Sequence, residues 1–182
     1  MSDIRGLDPS GRPRDVSVDQ DGSVLSVTER SPFRRFPTYR ADIGVVAGGA
    51  GYAAEIIVPS KTAVFVTQVF FAKPSVAVTM RLIKASTNST GGTSTNATIV
   101  RMDEEARGSR ATVRLFTGAP TAGTALGDVF ELAVGTGDIV WEEFGNREGQ
   151  YLKLHGPREA LGVNVSGAAT IVGYIEWIEV TE

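Results

Sequence analysis

The chain has 182 residues, a formal net charge of −3 at pH 7 and no cysteine. Its length suits one domain with an appendage, and the lack of cysteine excludes disulfides, thiolate nucleophiles and thiolate metal sites. The slight acidity favours neither nucleic acid nor acidic lipid as a partner, and without a long apolar run or basic leader we expect no membrane span and no export signal.

The first part of the chain is composed of turns between short extended pieces. Residues 7–12 and 18–23 each run from an apolar residue through Asp and turn formers to Gly, a pattern typical of tight turns. An isolated hairpin is marginal in water, so this segment needs a partner surface in its own domain or on another chain. The residues predicted to pair are Val16 and Val18 on one side, and Val24 with either Leu25 or Val27 on the other.

Residues 31–40 alternate aromatic and basic side chains between two prolines. The prolines exclude a regular helix or a central strand. We interpret the stretch as an extended docking linker whose rings pack on a surface while the guanidinium groups remain in water. A nucleic-acid contact through stacked bases and an ordinary loop are the alternatives. The residues concerned are Phe33, Arg34, Arg35, Phe36 and Tyr39.

Beyond residue 42 the chain repeats strand and turn. Two apolar segments, 62–72 and 76–84, form the predicted central pair of strands, joined through Pro74. In the second of them Val76, Val78, Met80 and Leu82 share one face, as expected of a half-buried strand. Further strands are predicted at 54–58, 97–102, 110–117, 129–134, 138–144, 151–155, 161–165 and 170–180.

This pattern contains no long amphipathic helix, and the strands are separated by Gly, Pro, Asn and Asp. It predicts an all-β protein, an antiparallel β-sandwich of jelly-roll type with an extended N-terminal arm. We place the arm at residues 1–40 and the sandwich at residues 41–182. The loop 88–96 is polar and is expected to contribute nothing to the core.

The final strand is apolar on both faces, which suggests that one face meets the core and the other meets a second subunit. The residues predicted for that subunit interface are Tyr174, Trp177 and Ile178.

No catalytic pattern emerges from the remaining polar residues. His155 is the only histidine, and no nucleophile-elbow sequence accompanies it. Glu142 and Glu143 are adjacent and point to opposite faces, while Glu176 and Glu179 flank Trp177 and face solvent or pair with Arg. We therefore expect no catalytic, cofactor or metal site. A hydrolase that uses a carboxylate pair remains the weakest alternative.

From residue 76 to its end the chain resembles a β-sandwich family that recurs among structural proteins of tailed bacteriophages. The resemblance is a pattern of strands and turns. It lies in VTMRLIK at 78–84, STNSTGGTS at 86–94, ATVRLFTGAPT at 111–121, FGNREGQ at 144–150, ALGVNVSG at 160–167 and YIEW at 174–177.

The resemblance implies a non-enzymatic virion component, such as a capsid decoration, collar or tail-fibre-like protein, assembled in the bacterial host cytoplasm. Its implied partners are copies of itself in a homotrimer and other virion proteins of the capsid, portal, collar or tail. The arm would anchor it. The residues expected to attach are Val16, Val18, Val24, Leu25, Phe33, Arg34, Arg35, Phe36 and Tyr39.

An alternative function is a receptor- or carbohydrate-binding module at a fibre tip. In that hypothesis the loops 88–96 and 145–150 contact a glycan of the host surface.

Overall fold

The computed structural model describes residues 5–7, 13–15, 17–18, 24–25, 37–47, 49–72, 74–102, 107–144 and 152–181. The chain divides into two compact units, residues 1–36 and residues 37–182. This division comes before residue 40, where the arm was expected to end.

The first unit contains two short antiparallel pairs. Strand β1 (Arg5–Leu7) pairs with β2 (Pro13–Asp15), and β3 (Ser17–Val18) pairs with β4 (Val24–Leu25). Val18 lies opposite Val24 in the second pair, so the predicted hairpin is confirmed at these two positions. The Asp- and Gly-containing segments that the sequence identifies as turns, 8–12 and 19–23, lie outside the described residues.

The second unit is an antiparallel β-sandwich, and the predicted fold class is confirmed. The described residues contain strands and no helix. Two six-stranded sheets form the layers. The front sheet consists of β5 (Thr38–Ala47), β7 (Thr62–Ala72), β10 (Ile99–Arg101), β13 (Ile139–Glu143), β14 (Leu152–His155) and β16 (Ala169–Thr181). The back sheet consists of β6 (Gly51–Ile57), β8 (Val78–Ala85), β9 (Ser94–Asn96), β11 (Thr112–Phe116), β12 (Ala125–Val134) and β15 (Ala160–Val165).

The order of the strands is that of a jelly roll. The front sheet runs β10-β5-β16-β7-β13, with β14 also pairing with β7, and the back sheet runs β12-β8-β15-β6-β11-β9. Strands β5 to β8 alternate between front and back, and so do β12, β13, β15 and β16. This alternation gives the two interlocked Greek keys of the jelly roll. The segment between β8 and β12 is an insertion that extends one edge of each sheet.

The two segments predicted as a central pair belong to different sheets. The observed bounds of β7 match the prediction, but β7 pairs with β13, β14 and β16, while β8 pairs with β12 and β15. Strands β7 and β8 each have one strongly apolar face. The apolar faces of the two strands are both buried when the strands lie in opposite sheets, on the two sides of one core. The chain crosses between the layers at Pro74, where Ser75 donates a backbone hydrogen bond to Thr170 in β16.

Strand β5 is missing from the sequence prediction. Its presence corrects the assignment of Tyr39 to an extended docking linker. The side chains of Tyr39, Ala41, Ile43 and Val45 alternate into the core. Tyr39 is only 2% exposed, its ring stacks 6.0 Å from that of Trp177, and its hydroxyl donates to the carbonyl of Arg107. Its side chain is therefore taken up by the sandwich and is not available as an attachment contact.

Candidate binding surface on the front sheet

The outer face of the front sheet presents three aromatic side chains in one register. Tyr174 in β16 lies opposite Phe70 in β7, and Phe70 lies opposite Trp141 in β13. Since neighbouring strands are about 4.8 Å apart, the row extends roughly 10 Å across the sheet. Trp141 is 61% exposed, whereas Phe70 and Tyr174 are half-buried. We call Tyr174, Phe70 and Trp141 the aromatic row.

The rings of the row are held in place by their neighbours. The rings of Phe70 and Tyr174 stack with centroids 5.2 Å apart and an interplanar angle of 19°. The guanidinium carbon of Arg40 lies 3.6 Å from the centroid of the Tyr174 ring, a close cation–π contact. Arg40 is itself oriented by an ion pair with Asp42 at 3.4 Å. The strands and these contacts together hold the rings of Phe70 and Tyr174 in place.

A row of polar side chains lies two residues away on the same face. Arg40 in β5 lies opposite Glu176 in β16, Glu176 opposite Gln68 in β7, and Gln68 opposite Glu143 in β13. Burial raises the pKa of Glu176, while the nearby positive charge of Arg40 opposes the rise. We call Arg40, Glu176, Gln68 and Glu143 the polar row.

An aliphatic row borders the aromatic row on its other side. Val172 lies between Gly44 and Ala72, and Ala72 lies opposite Ile139. Ile139 is 58% exposed and Val172 is 50% exposed. Strands β16, β7 and β13 therefore carry three parallel rows, aliphatic, aromatic and polar, on one face, and β5 places Asp42 in register with the aromatic row.

The outer face of the back sheet is covered instead where β6 and β11 lie. Glu55 is fully buried there, and its carboxylate accepts hydrogen bonds from the backbone N–H and hydroxyl of Ser89 and pairs with Arg114. Tyr52 and Phe116 are buried beside this group. The ring of Tyr52 lies over Gly162, where a Cβ atom would approach it to 2.7 Å.

This arrangement corrects the interpretation of residues 88–96 as a loop that contributes nothing to the core. Ser89 is only 3% exposed and holds the loop down on Glu55. Residues 94–96 form β9 and pair with β11. The polar composition of the segment reflects hydrogen bonds made inward as well as exposure to water.

A second buried carboxylate lies at the end of β16. Glu179 is 7% exposed and accepts hydrogen bonds from the backbone N–H groups of Arg110 and Ala111, the Ser109 hydroxyl and the indole N–H of Trp177. The sequence places Glu179 in solvent or against Arg, and both options are wrong. Because its oxygens are occupied by structural donors, this carboxylate holds residues 109–111 against β16.

The residues predicted for a subunit interface are mostly interior. Trp177 is fully buried and Ile178 is 7% exposed, so both pack within their own chain. Tyr174 alone of the three belongs to the aromatic row, and the homotrimer remains a prediction. Among the predicted attachment residues, Val18, Val24 and Leu25 lie in the hairpin of β3 and β4. Val16, Phe33, Arg34, Arg35 and Phe36 lie outside the described residues, as does the loop 145–150.

The aromatic row escaped sequence analysis because no single segment contains it. The alternation of Ile139 and Trp141 with buried Val140, and of Phe70 with Val69 and Phe71, shows that these rings point outward. The pairing of β7 with both β13 and β16 brings the rings together, and that register is not readable from either strand alone.

Other candidate chemistry is sparse in the described part of the chain. His155 is exposed at the end of β14, where the sequence places it. No group of three or more His, Cys, Asp and Glu side chains within the described ranges is arranged to hold a metal ion. An open groove of about 330 Å³ is lined by Ala77, Val78, Thr79, Ala133, Val134, Gly135 and Ser166.

The described residues also include no helix that is long and apolar enough to span a membrane.

No protein-family model, curated protein or solved structure matches this chain. The resemblance to structural proteins of tailed phages therefore remains a prediction from the sequence pattern.

Proposed function

We propose that the chain is a non-enzymatic structural protein of a tailed-phage virion and that it acts by binding. The supporting observation is the open outer face of the front sheet, where Trp141 is 61% exposed beside two further rings. Exposed aromatic clusters on a rigid scaffold are a property of interaction surfaces. Jelly rolls serve as viral capsid and lectin domains, and both roles depend on contact.

We assign a different role to each of the two compact units of the chain. Residues 1–36 form one compact unit, which attaches the protein to the particle, and residues 37–182 form the sandwich that is displayed. The hairpins of the first unit are too small to be stable alone in water, so a partner surface would stabilise them. Many copies on one particle would convert weak individual contacts into durable attachment.

Removal of residues 1–36 tests this assignment. We expect purified 37–182 to unfold cooperatively and to be missing from particles assembled in cells that express it in place of the intact chain. Immunoblotting of purified particles measures incorporation. Deletion to residue 36 is chosen because β5 begins at Thr38 and belongs to the sandwich.

The control is the intact chain carrying Val100→Ala, a change at a side chain that is 48% exposed on β10. This variant should join particles as the unchanged protein does. Particles that contain normal amounts of 37–182 would disprove attachment through the first unit.

The second candidate is a receptor- or carbohydrate-binding module at a fibre tip, and the aromatic row favours it. In this version the front sheet, rather than the loop 88–96, makes the contact, because Ser89 of that loop is turned inward against Glu55. An adsorption assay in which the purified protein competes with particles for host cells tests it. Competition that saturates supports a receptor role, and no competition at any concentration rules it out.

A further inference from the structure

The outer face of the front sheet is raised along one strand and low along another. On β13, Trp141 is 61% exposed and Ile139 is 58% exposed. On β5, Gly44 has no side chain, and a Cβ atom placed there would meet no other atom within 4 Å. Strands β16 and β7 lie between β5 and β13. The face therefore has a projection and a hollow at opposite ends of its rows.

A two-fold rotation brings the projection to the hollow. When a second front sheet is turned about an axis that runs parallel to the strands, midway between β16 and β7, β13 of one copy lies over β5 of the other. The same rotation sets β16 over β7 and leaves each row facing its own counterpart. Sheets that pack face to face keep their strands close to aligned, and a two-fold pair uses one surface patch on both copies.

We propose that the front sheet is the contact surface for a second copy of this chain, in a two-fold pair in which β13 of each copy packs over β5 of the other. The inference rests on the proposed function in one respect, that this face makes contacts, and it names the partner and the geometry of the contact.

The aliphatic row is complementary to itself in this pair. Ile139 of one copy lies over Gly44 of the other, where the sheet leaves room for its side chain. Val172, which is 50% exposed, lies over the small side chain of Ala72. Each bulky group meets a small one, so the two sheets can approach closely enough to exclude water.

The polar row gains partners of opposite charge or of matching hydrogen-bonding type. The order along the row is Arg40, Glu176, Gln68 and Glu143. The rotation therefore sets Arg40 over Glu143 of the second copy, which gives an ion pair. It also sets Glu176 over Gln68, whose amide N–H group donates to the carboxylate. Charges that lose water at an interface need such partners.

Trp141 is the anchor of the contact. Phe70 and the guanidinium of Arg40 cover the two faces of the Tyr174 ring. Trp141 is left as the ring that projects, and in the pair it lies over Asp42 of the second copy, whose carboxylate accepts the indole N–H. A tryptophan buried with its N–H satisfied is typical of an interface hot spot.

Sedimentation equilibrium of the intact chain, from about 0.1 to about 100 μM, tests the pairing. We expect a concentration-dependent equilibrium between one copy and two. Trp141→Ala should weaken the dimer at least about tenfold, with circular dichroism to confirm that the variant is folded. The matched control is Leu126→Ala on β12 of the back sheet, where Leu126 is 58% exposed, and it should dimerise as the unchanged chain does.

The substitution Gly44→Ile separates a fitted contact from general adhesion between apolar surfaces. The monomer should remain folded, because a Cβ atom at this position meets no other atom and isoleucine suits a strand better than glycine. An added apolar group would strengthen nonspecific association. In the proposed pair it takes the space that Ile139 of the second copy fills, so the dimer should weaken about tenfold.

Charge reversal on the polar row tests the orientation of the pair. Arg40→Glu and Glu143→Arg each set like charges against each other, so each variant should dimerise several-fold more weakly than the unchanged chain. A dimer with one chain of each kind restores both contacts, because the two altered side chains face each other and so do the two unaltered ones. An equimolar mixture should therefore dimerise more strongly than either variant alone.

Four results overturn the inference. An intact chain that stays monomeric at every concentration leaves the face to a different partner. A trimer excludes the two-fold pair, since three-fold contacts are head-to-tail. A dimer that Trp141→Ala and Gly44→Ile leave unchanged places the contact elsewhere. A mixture of the charge variants that is no stronger than its components excludes the proposed orientation.

Failure of this inference is distinguishable from failure of the proposed function. Particle incorporation is assigned to residues 1–36 and is measured by immunoblotting, whatever the front sheet contacts. If the intact chain is monomeric and joins particles, the virion role stands and the pairing falls. If the intact chain dimerises as expected but 37–182 joins particles in normal amounts, the attachment assignment falls and the pairing stands.

Discussion

Charged side chains occupy three different environments in this sandwich, and their spacing in the sequence does not distinguish them. Glu179 and Glu55 are buried and satisfied by donors, Glu176 is half-buried opposite Arg40, and Glu142 is exposed. The cost of moving a carboxylate out of water is offset only where hydrogen bonds replace the water. The predicted effect of a Glu→Gln substitution therefore differs from one position to the next.

Glu179→Gln is expected to destabilise the sandwich by about 2–4 kcal/mol, since hydrogen bonds to a buried charged group contribute roughly 1.5–3 kcal/mol each and breaking a buried network is costly. The amide NH₂ group would face N–H donors such as those of Arg110 and Ala111 instead of accepting from them. Urea unfolding followed by the fluorescence of buried Trp177 measures the change.

The control for this substitution is Glu142→Gln, which alters an exposed position on β13. It should change the free energy of unfolding by no more than about 0.5 kcal/mol. Equal urea midpoints for the Glu179 and Glu142 variants would show that the network at the end of β16 contributes no stability.

The raised pKa of Glu176 predicts that the stability of the sandwich depends on pH. Burial raises its pKa in the folded protein, and the charge of Arg40 opposes that rise. Below the ordinary glutamate pKa both states hold the proton, but as pH increases from about 4 the unfolded chain releases it first. The contribution of Glu176 to stability is therefore greatest at low pH and is lost as pH rises through the raised pKa.

The substitution Glu176→Gln removes this titration. We therefore expect the free energy of unfolding of the variant to fall less than that of the unchanged chain as pH rises above about 4. The measurement is the free energy of unfolding in urea at a series of pH values. A second variant, Arg40→Gln, should make the free energy of unfolding fall more steeply with pH, because Arg40 opposes the raised pKa of Glu176. Parallel curves for the unchanged chain and Glu176→Gln would contradict the assignment.

The strand β5 shows how an element can be present in the sequence pattern and still be missed. Tyr39, Ala41, Ile43 and Val45 alternate with polar or small residues, which is a strand pattern. The prolines before it and the glycines that follow residue 47 are typical of loops and favour an irregular structure at both ends of this short pattern. Pairing with β16 along its whole described length makes β5 part of the sandwich.

This assignment predicts different outcomes for two deletions that differ by four residues. The chain 37–182 retains Tyr39, whereas 41–182 loses a ring that is 2% exposed and stacks on Trp177. Loss of a buried aromatic side chain typically costs about 3–5 kcal/mol. We expect 41–182 to be less stable than 37–182 by at least that amount in urea unfolding.

Tyr39→Ala in the intact chain separates loss of the ring from loss of backbone. It should reproduce most of the deficit of 41–182, because the ring supplies the buried area. If 41–182 and 37–182 unfolded at the same urea concentration, the Tyr39 ring would contribute no stability to the core. Residue 40 would then be the end of the N-terminal arm, as the sequence predicts.

The jelly roll as a whole explains why the front sheet presents exposed rings while the β6 and β11 part of the back sheet is covered. The insertion between β8 and β12 extends both sheets, and its Ser89 and Phe116 lie over the back sheet. The front sheet presents its rings outward, with Trp141 61% exposed. Function is therefore proposed for the face that the described part of residues 37–182 leaves exposed.

Alternation of side chains was enough to establish the class of fold and the bounds of most strands. Val78, Met80 and Leu82 carry the period of two within a few consecutive residues, and a local pattern survives in any topology that buries one face. For the same reason the outward direction of Phe70 and Trp141 is visible in the sequence.

Which strands become neighbours depends instead on contacts between residues far apart in the chain. The split of β7 and β8 between sheets, the burial of Glu55 and Glu179, and the alignment of Tyr174 with Phe70 and Trp141 all arise from such pairings. A shift of one residue in any of these registers would turn the rings toward the core, and no single strand contains the information that prevents it.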